Sequence, residues 1–135
     1  MTKADVRILV VDDEAAMRRM VRRMLHQLGY ASVDEDDGTT VLSRLKAYPY
    51  DLIICDWRMT PNTGLDVLQF VRSDPVLKAL PFILLTAETA ADAVTAAVST
   101  GASDYIAKPF SAQTLASKVE RVLALHPPAG SVRVG

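Results

Sequence analysis

Asp56 ends a short apolar run, Leu52-Ile53-Ile54-Cys55, and Asp12-Asp13 end another, Ile8-Leu9-Val10-Val11. Thr86 follows Phe82-Ile83-Leu84-Leu85, and Lys108 follows Tyr105-Ile106-Ala107. If these runs are neighbouring strands, three carboxylates, a hydroxyl and an ammonium meet on one edge of a sheet. Carboxylates in contact repel, at about 4 kcal/mol per pair for about 4 Å and an effective dielectric near 20. Lys108 offsets one charge, and a hard divalent cation such as Mg²⁺, with its preference for oxygen ligands, offsets two more. Such an ion also neutralises a phosphoryl group. An aspartate beside it can then act as a nucleophile and form an acyl phosphate. Singly, each acid reads better as a turn former at a strand end. The joint occurrence with Thr86 and Lys108 favours the chemistry.

The elements that must position these groups alternate. Arg7 to Val11 reads as a buried strand. Met17, Met20, Val21, Met24, Leu25 and Leu28 then mark one face of a helix that Gly29 ends. Tyr30 to Val33 is a short strand, and Thr39 to Ala47 a helix using Val41, Leu42 and Leu45. Leu52 to Cys55 is the third strand, followed by a helix over Leu65 to Ser73. Phe82 to Leu85 is the fourth strand, followed by an alanine-rich helix over Thr89 to Thr100 that ends at Gly101. Tyr105 to Ala107 is the fifth strand, and Ser111 caps a last helix carrying Leu115, Val119, Val122 and Leu123 inward. Five strands alternating with five helices predict an α/β, doubly wound, five-stranded parallel sheet covered on both faces. Ligands of such sheets lie outside the carboxyl ends of the strands, where all five chemical residues fall.

Composition sets bounds. The 135 residues fit one domain, half of them apolar, with a net charge of −1. That balance gives no electrostatic case for direct nucleic-acid binding. No apolar stretch approaches the roughly 20 residues of a membrane span, and the first residues lack a signal-peptide core. The single cysteine, Cys55, cannot form an internal disulfide, so a reducing cytoplasm is the expected setting. Residues 1–125 are expected to form the domain, and 126–135, which begin His126-Pro127-Pro128, a flexible tail too short for an output domain.

The motifs Val10-Val11-Asp12-Asp13-Glu14, Asp56-Trp57-Arg58-Met59, Gly64, Thr86-Ala87 and Lys108-Pro109-Phe110 are each weak. Together, in this order, they make the chain resemble a response-regulator receiver domain of two-component signalling, over about residues 6 to 125. The resemblance implies a (βα)5, flavodoxin-like fold with strand order 2-1-3-4-5. It implies that Asp56 is the phosphoacceptor, taking a phosphoryl group from a sensor histidine kinase or phosphotransfer protein. It further implies that Asp13, Asp56 and the Arg58 backbone carbonyl bind Mg²⁺, with Asp12 doing so directly or through a water, that Lys108 and Thr86 contact the phosphoryl oxygens, and that Lys108 orients the Asp56 carboxylate. Tyr105 matches an aromatic switch position that turns inward when Thr86 moves, which would reshape the surface of helix 4, strand 5 and helix 5. Lys108-Pro109 matches a cis peptide position. The chain would act as a switch on a downstream protein target, as a monomer or weak dimer, catalysing only its own phosphorylation and dephosphorylation.

The chain departs from the family beside Asp56. Thr60 stands where proline is usual, Pro61 follows, and a shifted turn is expected there. Arg58 is expected to reach the phosphoryl group or pair with Glu88, shielding the acyl phosphate and slowing its hydrolysis. Arg18, Arg19, Arg22 and Arg23 read as a solvated basic face of helix 1, with a minor docking role. Asp34-Glu35-Asp36-Asp37 reads as a loop supplying caps for helix 2. Two rival readings fail on residues. A phosphatase using Asp-x-Asp would need an acid where Arg58 stands. A flavin binder would not place Asp12-Asp13-Glu14 where its phosphate binds.

Overall fold

The computed structural model describes residues 2–59, 62–87 and 91–125, the side chains of 91–93 excepted. After a 3₁₀ turn at Lys3–Asp5 come β1 (Arg7–Val11), α1 (Ala15–Gln27), β2 (Ser32–Asp36), α2 (Val41–Ala47) and β3 (Leu52–Asp56). They are followed by α3 (Gly64–Ser73), β4 (Phe82–Thr86), α4 (Ala91–Thr100), β5 (Asp104–Ala107) and α5 (Ala112–Leu125). The strands form one parallel sheet in the order β2-β1-β3-β4-β5. The expected doubly wound fold and its strand order are therefore observed.

Alternation along the strands divides the core in two. Ile8, Val10, Ile54, Ile83, Leu85 and Ile106 face Val21 and Leu25 of α1 and Leu115, Val119 and Val122 of α5. Leu9, Val11, Ile53, Cys55, Phe82 and Leu84 face Val41, Leu45, Val67, Leu68, Val71 and Ala97 from α2, α3 and α4. All five residues of β3 and of β4 are buried, because helices cover both faces of a central parallel strand. Met17, Met24 and Leu28 pack against the first cluster. Gly29 ends α1 at φ 104°, where a side chain would be strained, and Tyr30 N–H closes back on the Leu25 carbonyl at 3.0 Å. The Ser111 hydroxyl accepts from Thr114 N–H at 3.0 Å, as expected of a cap.

The second strand corrects the sequence reading. β2 is Ser32–Asp36 rather than Tyr30 to Val33, and Asp34, Glu35 and Asp36 pair in register with Leu9, Val10 and Val11 of β1. Asp34 to Asp36 of the acidic run are strand, because each finds a partner, while Asp37 lies in the expected loop, its Oδ1 accepting from Thr39 N–H at 3.0 Å. Glu35 takes Arg18 and Arg22, at 3.0 and 2.8 Å, and Asp34 takes the Tyr50 hydroxyl at 2.6 Å. Asp36, 4% exposed, takes Arg44 at 3.0 Å and the Thr40 hydroxyl at 2.5 Å. Tyr30 is instead a buried connector. Arg18 and Arg22 are thus structural partners as well as members of a basic face. The expected start of helix 4 at Thr89, the shifted turn at Thr60-Pro61, the Glu88 side chain and the tail from His126 lie outside the described residues.

Candidate phosphoryl-transfer site

β1 delivers Asp12 buried, at 1% exposure, and the next residue, Asp13, exposed. Four contacts fix Asp12. Its N–H donates to the Asp36 carbonyl at 3.1 Å, and its own carbonyl accepts from Arg18 at 2.7 Å. Its Oδ1 accepts from Glu14 N–H at 2.9 Å, and its Oδ2 from Lys108 Nζ at 3.3 Å. β3 delivers Asp56, 6% exposed, whose Oδ1 accepts from Lys108 Nζ at 2.6 Å. Carboxylate oxygens of Asp12, Asp13 and Asp56 lie within 4.8 Å of one another. Thr86 closes β4, 1% exposed, and its carbonyl accepts from Lys108 N–H at 2.7 Å. The Lys108–Pro109 peptide is cis. Five strand-end residues expected from the sequence are therefore gathered on one rim.

Gly64 explains how α3 docks below Asp56. A Cβ there would collide with the Asp56 carbonyl, and would lie 2.9 Å from Trp57 Cα and 3.0 Å from Leu84 Cδ1. Its N–H instead donates to the Trp57 carbonyl at 2.9 Å, so backbone approaches backbone only because the side chain is absent. Beside the cluster, Asp13, Trp57, Arg58, Met59, Thr63 and Leu65 line an open depression of about 540 Å³. Tyr105 lies at the surface, 36% exposed, with Lys118 Nζ 5.3 Å from its ring centroid. Lys118 also donates to Asp104 at 2.9 Å.

The electrostatics follow burial. Desolvation pushes the Asp56 carboxyl above its ordinary pKa, opposed by the Lys108 hydrogen bond and reinforced by the charges of Asp12 and Asp13. Burial works against the Lys108 ammonium, yet its bond to Asp56 and the charges of Asp12 and Asp56 hold its pKa above the usual value. Burial pushes the Cys55 thiol well up, which leaves it a core residue without nucleophilic character. Three acids against one ammonium leave two negative charges on oxygen donors. That chemistry fits a hard divalent cation such as Mg²⁺.

Sequence reasoning missed two contributors. Arg18 holds the Asp12 carbonyl and Glu35 holds Arg18. The available signal was Arg18 and Arg22, one helical turn apart, on the helix that crosses over to the acidic strand.

Comparison with known proteins supports the same reading. A family model described as the response regulator receiver domain matches residues 8–120. The chemotaxis protein CheY of Pseudomonas aeruginosa is 42% identical over 118 residues, covering 87% of this chain and 95% of that protein. The chemotaxis protein CheY-3 of Vibrio cholerae is 40% identical over 119 residues, 87% of this chain and 92% of that one. Among solved structures, CheY4 of Vibrio cholerae superposes with a TM-score of 0.81 at 33% identity, covering 87% of this chain and 98% of that one. A putative response regulator of Chloroflexus aurantiacus superposes with a TM-score of 0.84 at 33% identity, covering 88% and 98%. This chain belongs to the response-regulator receiver domain family.

Proposed function

We propose that the chain is a phosphorylatable switch that accepts a phosphoryl group on Asp56 from a phosphohistidine of a sensor histidine kinase or phosphotransfer protein. The observation that carries this reading is Lys108 bridging Asp56 and Asp12 within a cluster of three acids. Mg²⁺ would be held by Asp12, Asp13, Asp56 and the Arg58 carbonyl, and when bound supplies charge neutralisation for the phosphoryl oxygens. Lys108 engages Oδ1 of Asp56, which leaves the other carboxylate oxygen to attack phosphorus. An O–P bond forms as the P–N bond to the donor imidazole breaks, and the imidazole nitrogen departs with the bonding pair and takes up a proton. The product is an acyl phosphate. Its added charge and acceptor oxygens draw the Lys108 ammonium and the Thr86 hydroxyl.

Movement of Thr86 opens space for Tyr105, whose outward position is one of two states in a population shift. The surface of α4, β5 and α5 then changes for a downstream protein partner. Similarity to chemotaxis proteins supports a motility-type partner and a cytoplasmic setting. Among the described residues no helix is long and apolar enough to cross a membrane. Arg58, exposed beside Asp13, and Glu88 slow hydrolysis of the acyl phosphate in this reading, so Arg58→Ala or Glu88→Ala shortens the phosphate lifetime.

The test is incubation with Mg²⁺ and acetyl phosphate followed by intact mass measurement. Wild type should gain a single phosphate, and Asp56→Asn none. An adduct on Asp56→Asn, or no adduct on wild type, overturns the assignment.

A further inference from the structure

We infer that Arg18, steered by Glu35, is a positioning residue for the divalent-cation site, setting its affinity through the peptide bond between Asp12 and Asp13. This inference rests on the proposed role of Asp12 and Asp13 in holding Mg²⁺. The key contrast lies between the two acids. Both carboxylate oxygens of Asp12 accept hydrogen bonds, from Glu14 N–H and from Lys108. Among the described residues the Asp13 carboxylate accepts none, and it is exposed. Its position is therefore inherited from its backbone.

That backbone begins with the Asp12–Asp13 peptide. The carbonyl of this peptide accepts from Arg18 at 2.7 Å, which fixes the peptide plane and hence the direction of the following Cα–Cβ bond. A charged donor makes this a strong bond. The guanidinium is itself oriented, because its Nε donates to Glu35 Oε1 at 3.0 Å while its Nη1 reaches Asp12. Arg22 holds the other Glu35 oxygen at 2.8 Å. Arg18 and Glu35 are mostly sheltered, with side chains 16% and 19% exposed, whereas Arg22 is 47% exposed. The rigid fork of arginine can satisfy both acceptors at once; lysine, a point charge on a flexible stem, cannot hold the same geometry. Glu35 of β2 thus reaches the metal site through one side chain of α1.

A direct electrostatic role and a positioning role make opposite predictions. Arg18 is a cation near a cation site, so removing only its charge would tighten Mg²⁺ binding. Removing its grip on the peptide loosens the Asp13 ligand and weakens binding. Loss of an outer partner that orients a metal ligand commonly costs about 10- to 100-fold in affinity.

The experiment measures Mg²⁺ affinity by titration calorimetry on wild type, Arg18→Met, Arg18→Lys and the exposed charge control Arg19→Ala. Urea melts in EDTA check that each is folded. Arg18→Met should bind Mg²⁺ about tenfold more weakly, Arg18→Lys to an intermediate degree, and Arg19→Ala as wild type. Phosphorylation by acetyl phosphate in Arg18→Met should need correspondingly more Mg²⁺. If Arg18→Met fails to fold, Arg18→Lys carries the test, since it keeps the charge and loses the fork. Unchanged or tighter binding in the folded Arg18 variants overturns the inference. Absence of Mg²⁺ binding by wild type overturns the reading of the site itself, and the inference with it.

Discussion

Removing the exposed acid of the cluster should stabilise the metal-free protein. In Asp13→Asn the side chain keeps its shape and loses its charge. Carboxylate oxygens of Asp13 lie within 4.8 Å of those of both Asp12 and Asp56. At that distance each repulsion is about 0.9 kcal/mol in a dielectric of about 80 and about 3.5 kcal/mol in one of about 20. Asp13 is exposed, so the lower figure governs. Screening by solvent and ions trims the two repulsions to a net gain of about 1 kcal/mol, or a rise in Tm of about 4 °C for a domain of this size. The assay is urea and thermal denaturation at low salt in EDTA, repeated with Mg²⁺. At Mg²⁺ tenfold above its dissociation constant, linkage should stabilise wild type by about 1.4 kcal/mol. The variant, short of one ligand, should gain less, so Mg²⁺ narrows or reverses the difference. A variant less stable than wild type in EDTA, or an equal Mg²⁺ gain in both, refutes the picture of a repelling cluster built for a cation.

Gly64→Ala should destabilise the fold by about 1–3 kcal/mol, since the atoms it would meet are backbone of Asp56 and Trp57 as well as Leu84; urea melts at matched Mg²⁺ check this, and a change under 0.5 kcal/mol, about the usual surface effect, counts against the close approach. Arg44→Ala should cost about 1–3 kcal/mol, less than for a fully buried pair because Arg44 is 31% exposed while Asp36 is sheltered, and Asp36→Asn made in the Arg44→Ala background should recover part of it. Burial and the bond to Asp34 push the Tyr50 hydroxyl up to about 12 from an ordinary value of 10.0. A raised folded-state pKa gives stability that is fully present below about pH 10 and is lost as pH rises through about 12. Tyr50→Phe should therefore show a shallower alkaline loss in urea melts, and a tyrosine absorbance titration with all phenols ionising near 10 sinks the assignment.

The sheet and its rim were legible for a physical reason. In a parallel sheet covered on both faces, central strands must be apolar throughout, so β1, β3 and β4 announce themselves, and the polar residue ending each run must sit at the rim. The edge strand β2 was not legible beyond Val33. Its acids read as loop because hydrophobic patterning cannot register that Arg18, Arg22, Arg44 and Tyr50 stand opposite them. The link from Glu35 through Arg18 to Asp12 was hidden likewise, since it depends on a crossover bringing helix and edge strand together. Tyr105 was placed on its strand by sequence, but its contact with Lys118, one helix later, was not legible there.

The bond from Lys108 to Asp12 spans 96 positions of sequence, and that to Asp56 spans 52. No contiguous fragment short of residues 12–108 holds both. A chain still emerging from the ribosome carries its acids early and its ammonium late, so the cluster has no Lys108 to offset its repulsion until the fifth strand is out and paired.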